Sequence, residues 1–77
     1  MEKFVIDCNG GDSIVVEAKT AKAAAKIASE NGKNLMKYNK RSSLYFIWDE
    51  QEENILFTVH TFKVGRKTIS KIEPCNI

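Results

Sequence analysis

The residues that could do chemistry in this 77-residue chain are few: one histidine, His60, and two cysteines, Cys8 and Cys75, at opposite ends. A nucleophilic pair would need a cysteine brought against His60. Neither cysteine opens a helix or follows a glycine turn, the contexts that lower a thiol pKa. His60 falls mid-strand between Val59 and Thr61, with no carboxylate nearby in sequence to orient its ring as a general base. No CxxC or HxxxH spacing joins Cys8, His60 and Cys75 into a metal site. Gly10-Gly11 leads into a strand rather than a helix, so it is not a phosphate cradle. The expectation is a chain with no catalytic residues, no metal and no cofactor: a binding protein rather than an enzyme.

Charge is segregated along the chain even though twelve Lys and Arg against ten Asp and Glu leave a net charge of only +2. Asp49, Glu50, Glu52 and Glu53 crowd one short polar stretch that reads as a hairpin tip. Such a tip can steer a basic partner or blunt unwanted strand pairing. It lacks the ligand spacing of an EF-hand loop. Lys33, Lys37, Lys40 and Arg41 form a basic block with Tyr38 inside it, the ingredients of phosphate neutralisation and base stacking. Lys63, Arg66, Lys67 and Lys71 form a second basic group. The run Arg41-Ser42-Ser43-Leu44-Tyr45-Phe46 lacks the glycine and first aromatic of an RNA-recognition strand.

These groups must be positioned by the elements that the hydrophobic pattern defines. Residues 3–8 alternate, with Phe4, Ile6 and Cys8 on one side, and residues 13–18 resume the alternation through Ile14, Val16 and Ala18. Asn9-Gly10-Gly11-Asp12 between them makes a β-hairpin. Thr20 is placed to cap a helix over 21–31, with Ala21, Ala24, Ala25 and Ala28 on one face, and Gly32 is placed to stop it. Residues 33–43 then read as a loop or a short irregular strand. Residues 44–49 form a strand of large side chains, 55–63 a strand in the sheet centre and 68–73 a last strand ended by Pro74. The expected fold is a single α+β domain over 1–77 in ββαβββ order, a twisted antiparallel sheet with one helix packed on one face.

Size admits no second domain. The longest uncharged stretch, residues 54–62, is far short of the roughly 20 apolar residues that span a bilayer, so no membrane partner is expected. The N-terminus lacks the apolar run of a signal peptide and cysteine usage is sparse, which points to the cytoplasm.

The stretch 14–20 followed by Ala24-Ala25-Lys26-Ile27-Ala28 looks like the hairpin-then-helix opening of many small bacterial and phage domains, and carries no functional residue across. In size and build the chain resembles the small inhibitors that phages and mobile elements direct at host enzymes, anti-CRISPR proteins among them. The function expected is protein binding that occludes a partner through the C-terminal meander and its acidic tip. Its residues are Tyr45, Trp48, Asp49, Glu50, Glu52, Glu53 and Phe57, because aromatics dominate binding hot spots. The alternative is nucleic-acid binding by Lys33, Lys37, Tyr38, Lys40 and Arg41. Aromatics on both faces of the meander leave the helix-free face more apolar than water favours, and a homodimer is one way to cover it.

Overall fold

A computed structural model describes residues 1–8, 13–36 and 42–75. The order is β1 (Glu2–Cys8), β2 (Ser13–Ala18), α1 (Ala21–Met36), β3 (Ser42–Trp48), β4 (Ile55–Val64) and β5 (Lys67–Pro74). All five strands form one antiparallel sheet in the order β2-β1-β3-β4-β5, so the N-terminal strand lies inside it. The expected α+β class and ββαβββ order are those of the structure. The turn expected at Asn9-Gly10-Gly11-Asp12 lies outside the described residues, as do Lys37, Tyr38, Lys40 and Arg41.

The helix begins where Thr20 places it. Thr20 Oγ1 accepts the Ala23 N–H at 3.1 Å and its carbonyl accepts the Ala24 N–H at 3.2 Å. It does not end where expected, because α1 runs through Gly32 to Met36 and residues 33–36 are helix, not loop. Gly32 is present for a different reason. A Cβ there would lie 2.6 Å from Thr61 Oγ1 and 2.8 Å from Ser43 Oγ, so the helix axis meets the sheet at van der Waals contact. Ala24, Ala25 and Ala28, all 0% exposed, continue the same small-residue face.

With little volume on the helix side, the sheet supplies the large core residues. Two cross-strand rows lie beneath α1: Ile14–Ile6–Ile47–Phe57 and Cys8–Tyr45–Val59–Ile72. Ile6, Ile47 and Val59 are almost completely enclosed, each worth about 1.5–3 kcal/mol relative to exposure. A third row, Ser43–Thr61–Ser70, is polar and sits under Gly32. Ser29 Oγ on the helix donates to Ser70 Oγ at 2.6 Å, and Thr61 Oγ1 and Ser70 Oγ share a hydrogen bond at 3.2 Å. Pairing reduces the cost of burying the Ser29, Thr61 and Ser70 hydroxyls, while Ser43 Oγ is buried with no partner among the described residues.

Gly32→Ala therefore tests the close approach. A helix interior gains about 1 kcal/mol from Gly to Ala, while forcing a methyl group into a packed contact costs about 1–3 kcal/mol. The expected outcome in urea or thermal unfolding is a net loss of about 1 kcal/mol. Stabilisation by Gly32→Ala would show that Thr61 and Ser43 yield freely and that the contact constrains nothing.

Candidate functional site

The helix covers one face of the sheet, and the pairing register assigns every strand residue to that face or the other. On the uncovered face the rows are Val15–Val5–Trp48, Phe46–Thr58–Glu73 with Asp7 beside Phe46, Leu44–His60–Lys71, and Ser42–Phe62–Ile69. An antiparallel sheet with one wet face normally alternates polar residues onto it. Here Val5, Leu44, Phe46, Trp48 and Phe62 share the middle of that face with Thr58 and His60. Val5 is 6% exposed although no helix lies over it, while Leu44, Phe46, Trp48 and Phe62 are half-buried. They belong to an apolar surface bounded by Val15 and Ile69, which are 64% and 37% exposed.

Charges rim this surface in balance. Lys3, Lys67 and Lys71 are on the same face as Asp7, Glu17 and Glu73, and Lys3 is the cross-strand neighbour of Glu17. The second basic group is divided, since Lys63 pairs with Thr68 on the helix-bearing face while Lys67 and Lys71 are on the open one. Lys33, the described member of the first basic block, is an exposed residue of α1 and so belongs to the opposite layer.

His60 is exposed at the centre of the open face, flanked across the strands by Leu44 and Lys71, with the Phe62 ring 5.0 Å away and tilted by 39°. Cys8 and Cys75 are half-buried free thiols. Among the described residues no group of His, Cys, Asp and Glu side chains converges in a way that could hold a metal ion.

Among the residues expected to contact a partner, two belong to the core. Tyr45 is 6% exposed on the helix-covered face, and burial, then the neighbouring Cys8, raise its phenol pKa above the usual value. Phe57 shares that face and packs against the core cluster. Both face the helix side for the same reason: pairing of β3 with β1 and β4 turns residues 45 and 47 of β3 and 57, 59 and 61 of β4 inward, the register shifting at Ile47/Trp48 so that Ile55 lies opposite Trp48. Trp48 is on the open face, its indole Nε1 enclosed with no acceptor among the described residues. Sequence reasoning missed Val15, Leu44, Phe46, Phe62 and Ile69 as surface. The pairing register places them on the same face as Trp48 and His60, and that shared face is the signal that collects them.

The acidic tip is a built turn. The Asp49 carboxylate accepts the Glu53 N–H at 2.8 Å and the Asn54 Nδ2 at 2.9 Å, while its backbone bonds Asn54 and Glu52. Glu52 takes a left-handed φ of 56° to close the loop. Asp49 thus organises the turn, and Glu50, Glu52 and Glu53 are the exposed acids that could meet a partner. An open cleft lies between this turn and the start of β1, with Met1, Lys3, Phe4, Glu50 and Leu56 in its walls. It brings together no reactive constellation.

Comparison with models of known families, with curated proteins and with solved structures returns no match for this chain. No helix among the described residues is long and apolar enough to cross a membrane.

The turn makes a checkable prediction. The Asn54 side chain, then the Glu53 amide, hold the Asp49 carboxyl below its usual pKa. A folded pKa below the unfolded one contributes stability that is complete above the unfolded value and is lost as pH falls through the folded value. Carboxyl NMR should show Asp49 titrating below the ordinary aspartate range, and Asn54→Ala should move it back up. An Asp49 titration unmoved by Asn54→Ala would remove the side-chain bond from the account.

Proposed function

We propose that this chain is a non-enzymatic protein-binding module that occludes its partner with the open face of the sheet, assisted by the acidic tip. The observation that carries the reading is the apolar middle of that face, Leu44, Phe46, Trp48 and Phe62, on the side of the sheet that no helix covers. An apolar centre inside a rim of mixed charge is the make-up of a protein-binding patch. The rim also weighs against a phosphate backbone as the ligand. Lys3, Lys67 and Lys71 are offset by Asp7, Glu17 and Glu73, whereas nucleic-acid binding draws on an uncompensated positive surface. The exposed Glu50, Glu52 and Glu53 beside the Trp48 end of the face favour a partner with a basic rim. Free thiols at Cys8 and Cys75 suit a reducing, cytoplasmic setting.

The test uses two sets of substitutions in a retention assay on lysate, with and without nuclease. Ile69→Asp combined with His60→Glu alters exposed side chains of the patch, so the fold should persist by circular dichroism while retention of the partner drops about tenfold or more. Reversing Glu50, Glu52 and Glu53 to Lys should slow association at low salt and leave dissociation nearly unchanged. Retention indifferent to the patch substitutions would sink the reading. Retained material that is nucleic acid, released by nuclease and salt, would transfer the function to the basic block containing Lys33.

A further inference from the structure

The two edges of the sheet are built differently. The outer strand β5 carries exposed Lys67, Lys71 and Glu73 and ends in Pro74, all devices that discourage another strand from pairing. The other edge, β2, reads Ser-Ile-Val-Val-Glu-Ala over its six residues and has one charge, Glu17. Ile14 is 47% exposed and Val15 64% exposed, so this edge presents aliphatic side chains from both faces alongside its free backbone groups. The helix does not shield it, for α1 lies chiefly over β4 with β3 and β5 to either side, and touches β1 and β2 least.

We propose that β2 is a self-pairing edge: two copies of this chain join β2 to β2, antiparallel about a two-fold axis at Val15, into one continuous sheet. Because Val15 also borders the open face, assembly is read from the mass and partner binding from the His60 and Ile69 variants. The register is what singles out a second copy as the occupant. A two-fold axis normal to the sheet must place residues of the same face opposite one another. Centring on Val15 sets Val15 against Val15, Ile14 against Val16 and Ser13 against Glu17 of the other copy. On the open face the apolar row Trp48–Val5–Val15 then continues unbroken into the same row of the second molecule. Beside it runs Lys3–Glu17–Ser13–Asp7, in which a serine separates the carboxylates of the two copies and each acid keeps its own neighbour. On the helix face Phe4–Val16 meets Ile14–Ile6, which covers the exposed Ile14. Both helices fall on the same side of the joined sheet and stay apart, because each sits over the strands farthest from the junction.

Light scattering on the full chain over a concentration series, from about 1 to about 500 µM, is the experiment. The expected result is a mass rising from monomer toward twice that value. Val15→Lys puts two ammonium groups face to face at the axis and should raise the dissociation constant about tenfold or more, with an unchanged circular dichroism spectrum. Ile69→Lys, on the opposite edge, should leave the mass curve as it is. In a Cys8→Ser, Cys75→Ser background, Val15→Cys should oxidise to a disulfide-linked dimer faster than Ile69→Cys, since directly opposed strand positions lie within bridging distance. A monomer at every concentration overturns the proposal, as does a dimer that Val15→Lys leaves intact or that Ile69→Lys disrupts equally. A monomer whose Val15→Lys variant loses a foreign protein overturns it too, since Val15 then serves partner binding rather than self-pairing. Loss of partner retention in the His60 and Ile69 variants with the mass curve unchanged separates the fate of the open-face reading from that of the edge.

Discussion

The contact between Gly32 and the Thr61–Ser43 pair fixes how closely α1 can lie on the sheet, and most of the remaining architecture accommodates that distance. A helix whose buried side is Ala24, Ala25, Ala28, Ser29 and Gly32 offers almost no side-chain volume. The volume must come from below, which is why Phe4, Ile6, Tyr45, Ile47 and Val59 point toward the helix. It also explains hydroxyls in the third row. Ser29, Thr61 and Ser70 are small enough for the gap and satisfy one another, so that hydrogen bonding replaces apolar packing at the tightest point.

Much of this was legible in the chain. Alternation located β1, β2 and the meander, the alanine face located α1, and Thr20 marked its start. Gly32 misled because glycine is read locally as a helix terminator, whereas its role is tertiary: the space it leaves is filled by a strand some thirty residues later in the chain. Residues 44–48, Leu-Tyr-Phe-Ile-Trp, have no polar alternation from which to choose an inner face. Only the non-local pairing of β3 with β1 and β4 decides that Tyr45 and Ile47 turn in while Phe46 and Trp48 turn out. Site residues chosen by type alone were therefore divided between core and surface, with Tyr45 and Phe57 going to the former. Asp49 looked like one more acid of the tip until its hydrogen bonds to Glu53 and Asn54 gave it a separate task.

Seen from solvent, the molecule has two unlike layers. One is a polar helix exterior with Lys22, Lys26, Glu30 and Lys33 exposed. The other is a sheet surface that carries aromatic and aliphatic side chains and over which no helix lies among the described residues. A domain this small has few apolar residues to spare. Placing Leu44, Phe46, Trp48 and Phe62 on the uncovered side withholds them from the helix-packed core.

The interior position of β1 imposes an order of events on the growing polypeptide. β1 is made first, yet its two neighbours are β2, which follows at once, and β3, which arrives only after the whole of α1 has been synthesised. During that interval the hairpin of β1 and β2 has a bare inner edge, and its apolar side chains have neither helix nor third strand to cover them. Two-stranded hairpins are at best marginally stable in water, so the N-terminal half cannot settle until residue 48 has been added. Sheet closure here is a late, long-range step, and exposure of nascent chains to stray strand pairing is greatest before it.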